Sequence, residues 1–172
     1  MMRSFAEEKK QKTDELLMTS PLTTNEIVAG KFFGAFLFIL VLLAPTMIYQ
    51  VVLVTMAKPE LGPILTGYLG VILFAGCGVA IGLFASSLTE NQIIAAVVTF
   101  VIVLFMFIIN FVSLPEERLL SDILKYVSVA DHLKNLLRGV VDTRDLVYFL
   151  SIIFLFVFLT KRSLESVAWR SS

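Results

Sequence analysis

The charges of this chain collect in blocks, and the uncharged intervals between the blocks decide what it can fold into. Lys31 to Lys58 encloses 26 residues without Asp, Glu, Lys or Arg, Glu60 to Glu90 encloses 29, and Glu90 to Glu116 encloses 25. Coiled as α-helices at ~1.5 Å per residue, these runs reach about 37–43 Å, against a bilayer hydrocarbon core of ~30 Å. A fourth run, Leu146 to Thr160, has 15 residues. It spans only with Asp145 and Lys161/Arg162 at the headgroups, by snorkelling or local thinning. Composition agrees, since the 172 residues are 58% hydrophobic and 16% charged, where soluble domains are about 45–50% apolar and roughly 25% charged. The expected fold class is all-α, an integral membrane helix bundle in one domain over 1–172, with spans at about 32–57, 63–88, 92–114 and 146–161.

Residues 1–30 are too polar for the bilayer and read as helix, break, helix on the cytoplasmic side. Ser4 with Glu7, and Thr23 with Glu26, have capping-box spacing. Pro21 disfavours helix at Ser20 and removes a backbone donor, so the chain turns near Thr19–Thr23. Leu16, Leu17 and Met18 make a small apolar knob flanked by Asp14 and Glu15. Such a knob suits a groove on a soluble partner, and it equally suits packing on lipid or on neighbouring spans.

Within the runs, Pro45 should kink the first span or end a half-helix. Gly78, Gly82 and Ser86 fall at i, i+4 and i+8, a small-residue face for helix packing. In SSLTENQ, Thr89 is the expected N-cap of the third span. Residues 115–145 differ in kind. Leu119, Leu120, Ile123, Leu124 and Val127, then Leu133, Leu136, Leu137, Val140 and Val141, recur at helical spacing among charges, which predicts two short amphipathic helices at the interface. With four spans the termini share a side. They carry eight basic residues against six opposite, which favours cytoplasmic termini in a multi-pass protein of the cytoplasmic (inner) membrane.

Several chemistries lack their residues. GKFF at 30–33 has neither the upstream glycine nor the Ser/Thr of a nucleotide-binding loop. Formal net charge is zero, so no basic excess points to nucleic acid. Cys77 is the lone cysteine, the N-terminus has no signal-peptide h-region, and no ionisable group sits inside a span, which weighs against ion-coupled carriers and intramembrane hydrolases. His132, the single histidine, is expected to be solvated at the interface, without metal partners. Thr46, Gln50 and Asn110 could line a path, though hydrogen bonding between helices is the commoner fate. A membrane interaction or assembly scaffold without transport is the alternative reading from the residues.

Glu7-Glu8-Lys9, Thr13, Glu15-Leu16-Leu17, Ser20-Pro21 and Gly30-Lys31 resemble the cytoplasmic coupling segment of type-2 ABC exporter permeases, closest to the bacterial gliding-motility type. The resemblance continues in GLFASSLTENQIIAA (82–96), HLKNLLRGVVDTRDLVYFLS (132–151) and LESVAW (164–169). It implies a non-catalytic permease subunit in a homo- or heterodimer, coupled to a separate cytosolic ABC ATP-binding subunit that carries ATP and magnesium; no cofactor is expected in this chain. By position it makes Thr13, Glu15, Leu16, Leu17, Ser20 and Pro21 the ATPase-docking residues, and makes the 115–145 helices extracytoplasmic. Lys12 stands where the family usually has glycine before its Thr-x-Glu. The family has six spans with the coupling segment after the second, so this chain is expected to lack the first two.

Overall fold

The computed structural model describes residues 23–57, 60–109 and 126–168. The first helix, α1 (Thr24–Leu43), opens on the capping box expected at Thr23. The Glu26 carboxylate accepts from the Thr23 backbone N–H at 2.7 Å, and the Thr23 hydroxyl accepts from the Glu26 N–H at 3.4 Å. Pro45 then interrupts the ladder, because it has no N–H and its ring crowds the carbonyl four residues back. A turn at Ala44–Pro45 separates α1 from α2 (Thr46–Ala57). The Thr46 hydroxyl donates to the Leu43 carbonyl at 2.6 Å, satisfying an acceptor at the break.

The centre of the bundle is α3 (Leu61–Leu88), which packs against α1, α4 (Gln92–Ile108), α5 (Val129–Leu137) and α6 (Thr143–Ala168). Its buried positions are rich in Gly, Ala and Ser, and small side chains let helix backbones approach where lipid supplies no hydrophobic drive. Contacts fix the directions. Cys77 meets Phe149 and Phe84 meets Phe156, so α3 and α6 run parallel. Phe36 meets Gly76 and Thr46 meets Tyr68, so α1 and α2 run antiparallel to α3. Thr24 and the C-terminal end of α6 therefore lie at one end of the bundle, and α5 lies at the other.

Two apolar clusters hold these helices. One joins Val28, Val79, Leu83 and Leu164 near the Thr24 end, and the other joins Cys77, Val129, Leu136, Tyr148, Phe149 and Ile152 near α5. The outward faces of α1, α2 and α4 stay apolar, with Phe33, Leu37, Ile48, Phe100 and Phe105 exposed. Helices apolar all round belong in lipid. Three stretches, Thr24–Met56, Leu61–Leu88 and Thr143–Ser166, are long and apolar enough to cross a membrane, and α4 is a shorter apolar helix. The protein is an all-helical, multi-pass membrane protein, with no strand among the described residues.

Two local expectations need correction. The N-cap of α4 is Asn91, whose side chain accepts from the Ile93 N–H at 2.9 Å. Thr89 instead ends α3, and its hydroxyl accepts from the Asn91 N–H at 3.1 Å. Only three residues, 89–91, separate the two helices, too few for a cap at Thr89 and a turn as well. The second correction concerns His132 together with Asp145 and belongs to the site.

Candidate functional site

A cavity of about 410 Å³ lies between the α1–α2 junction and the first turns of α3. Leu43, Pro63, Ile64 and Val71 give it apolar walls, Leu137 of α5 borders it, and Thr46, Gln50 and Tyr68 supply polar groups. Thr46 gives its one proton to Leu43, so the Tyr68 hydroxyl, 2.9 Å away, donates to the Thr46 oxygen. Thr46 thus lines the cavity and bonds between helices at once. Gln50 is at the wall, and Asn110 lies outside the described residues. A mostly apolar cavity with a few placed polar groups suits binding and orientation of a small molecule or chain.

Beside the cavity lies a buried polar cluster at the end of the bundle opposite Thr24. His132 is buried, not solvated as the sequence suggests. Its Nδ1 sits 2.5 Å from Oδ1 of Asp145, and its Nε2 sits 3.1 Å from the Tyr126 carbonyl oxygen. The Asn135 amide donates to the other Asp145 oxygen at 3.2 Å. The imidazole stacks on Tyr148 with ring centroids 4.0 Å apart, and the Tyr148 hydroxyl donates to the Val127 carbonyl. Asp145 is itself buried, within the protein and not turned to the headgroups. The physical reason for both differences is the turn between α5 and α6. Gly139, at φ +90°, reverses the chain against Pro63 and brings the start of α6 onto the face of α5 that carries His132. In sequence, Asp145 lies 13 residues beyond His132, so no local spacing links the two.

The small-residue face is distributed between contacts. Gly82 packs near Thr99 of α4, where an added Cβ would lie 3.8 Å from Thr99 Cγ2. Ser86 is fully buried, and Gly78 has no atom within 4 Å of an added Cβ. The closest approaches lie at glycines the spacing did not select. A Cβ at Gly70 would meet Leu136 Cβ at 3.1 Å, and one at Gly76 would meet Ile153 Cδ1 at 3.0 Å. Thr13, Glu15, Leu16, Leu17, Ser20 and Pro21 lie outside the described residues.

No group of three or more His, Cys, Asp or Glu side chains is placed to hold a metal ion among the described residues. The site offers a cavity with a few placed polar groups beside a buried hydrogen-bonded polar cluster. A family model described as "ABC-2 family transporter protein" matches residues 2–166. No curated protein and no solved structure matches the chain.

Proposed function

The chain belongs to the ABC-2 family of transporter proteins and is a permease component of an ABC transporter; from that premise we propose that it forms part of the substrate pathway and is driven by a separate cytosolic ATP-binding subunit. The observation that carries this reading is a family match over 2–166 on a chain with three described stretches long and apolar enough to cross a membrane. ATP and magnesium reside on the partner, and this chain hydrolyses nothing itself. Residues 1–30 face the cytoplasm at the inner membrane, with Thr13, Glu15, Leu16, Leu17, Ser20 and Pro21 in the partner's cleft, as in the gliding-motility type. The subunit works as one half of a homo- or heterodimer.

The local structure supports a lever. α1 begins three residues after Pro21, and its first turn is locked by the reciprocal bonds of Thr23 and Glu26. A displacement imposed on Ser20–Pro21 therefore enters a stiff helix that leads to the cavity at Pro45. Leu16→Asp or Leu17→Asp should abolish co-purification of the ATP-binding subunit in gentle detergent while membrane insertion persists. Undiminished binding in both variants would overturn the docking assignment, and a native partner without an ATP site would replace transport by a scaffold role.

A further inference from the structure

The cavity between the α1–α2 junction and α3 lies at the depth of the membrane–water interface. Tyr68 stands ~10 Å along α3 from Leu61. All four tyrosines of the chain, Tyr49, Tyr68, Tyr126 and Tyr148, gather at this end of the bundle, and tyrosine belts mark the headgroup level. The cavity opens onto the lipid-facing surface, because Thr46, Val71 and Leu137 line it and are themselves exposed. Met47 and Leu65 beside them are exposed and apolar.

The hydrogen-bonding groups at its wall are selective. The Thr46 proton goes to Leu43 and the Tyr68 proton to Thr46, so neither hydroxyl has a proton left to offer. The Gln50 side chain lines the same cavity and makes no hydrogen bond among the described residues. Within a membrane an unmet amide is costly, and its N–H donors call for an acceptor. An ester carbonyl accepts and does not donate. At about 410 Å³ the cavity is near the lower end of the ~300–1,000 Å³ that ligand pockets span. That is room for one apolar chain and not for a whole phospholipid.

The rim beside Leu137 is basic. Lys134 and Arg138, four residues apart and so on one side of α5, stand either side of Leu137 in sequence and are exposed. Gly139, the next residue, sits against Pro63 of the cavity wall, which keeps Arg138 near the mouth. Neither Lys134 nor Arg138 has an ion pair among the described residues. Arg144 is a further exposed base at this end, and Glu60 and Asp142 are the exposed acids. The Asp142 carboxylate accepts from the Arg144 backbone N–H at 2.9 Å.

We propose that the cavity holds one chain of an anionic phospholipid from the surrounding leaflet, with the ester carbonyl accepting from Gln50 and the phosphate against Lys134 and Arg138. The bound lipid ties α2 to α3 and to the end of α5, since all three contribute lining residues. This assignment needs the chain to sit in a membrane and does not rest on coupling to an ATP-binding subunit.

The test is native mass spectrometry of the full chain purified in detergent and offered equal amounts of phosphatidylglycerol and phosphatidylcholine with the same acyl chains. The wild type should retain one lipid per chain and favour phosphatidylglycerol at least about tenfold, as basic residues against an anionic headgroup give. Lys134→Gln with Arg138→Gln should abolish that preference while some lipid of either kind is still retained. Gln50→Leu should retain ester-linked and ether-linked phosphatidylglycerol alike, where the wild type prefers the ester. Gly67→Leu should displace both lipids by filling the cavity, because a Cβ at Gly67 meets only Leu137 Cδ2, at 3.7 Å. Should that variant misfold, Val71→Trp fills the same space from the next turn. A wild type that retains no lipid, or retains the two headgroups equally, overturns the proposal. So does undiminished retention in the folded cavity-filling variant, or a full headgroup preference without Lys134 and Arg138. The readout needs neither ATPase nor transport, so its failure is separate from failure of the coupling proposed above.

Discussion

Gly70 and Gly76 show how closely single residues set this bundle. At Gly70 the neighbour of an added methyl is Leu136 Cβ at 3.1 Å, an atom fixed to backbone, so α5 itself would have to shift. At Gly76 the nearest atom is the flexible tip of Ile153, which has some room to yield. Gly82 has only ordinary contact with Thr99, and Gly78 has open space. Gly70→Ala should therefore destabilise by about 1–3 kcal/mol, as overpacking does, Gly76→Ala by less, and Gly78→Ala and Gly82→Ala hardly at all. Thermal unfolding of the detergent-solubilised variants checks the ranking, and equal midpoints for Gly70→Ala and Gly78→Ala would refute it. None of this order is visible in the spacing of small residues. Periodicity places glycines on a face but does not say which neighbour arrives there or how near.

Among the elements, the α1–α2 break depends on Pro45 for its existence and on Thr46 for its attachment. Thr46 satisfies the Leu43 carbonyl and receives the Tyr68 hydroxyl. Thr46→Val removes both bonds and strands the Tyr68 donor, whereas Tyr68→Phe leaves the bond to Leu43 in place. Hydrogen bonds between membrane helices are worth about 0.6–1.7 kcal/mol, so Thr46→Val should cost about that much and Tyr68→Phe less. Denaturant titration of both variants decides this, and a larger loss in Tyr68→Phe would contradict it. α6 shows a second feature of this scale. It runs 26 residues, Thr143–Ala168, past the 15-residue apolar run at its heart. Asp145 at its start is paired inside the protein, and Lys161 and Arg162 near its end each lie 3.6 Å from Glu165, so charged flanks continue the helix.

For the whole molecule, helix directions place the start of α1 and the end of α6 on one side, with α5 opposite. In the proposed orientation that side is cytoplasmic. A fluorescent protein fused to the C-terminus should fold and fluoresce, and a periplasm-dependent phosphatase fused there should stay inactive. The reverse pattern would turn the molecule over and place residues 1–30 beyond reach of any cytosolic ATPase. Membranes washed in alkaline carbonate should retain the chain, since α1, α2 and α4 turn Phe33, Leu37, Ile48, Phe100 and Phe105 outward, a surface only lipid or a second membrane subunit can cover.

The sequence by itself determined the solvent and the local geometry. Uncharged runs of 25 residues and more point to spanning helices, which at this length cross the hydrocarbon core and satisfy their backbone groups within one segment. Pro45 and the Thr23–Glu26 box act within a turn or two, so they too are legible in one dimension. The tertiary structure decided what depends on distant partners. Burial of His132 needed Asp145 swung in by Gly139, the close contacts at Gly70 and Gly76 needed α5 and α6 in place, and the cavity needed Leu43, Thr46 and Gln50 to face Pro63 and Tyr68. Such features arise from juxtaposition, and a linear pattern carries no term for which faces meet.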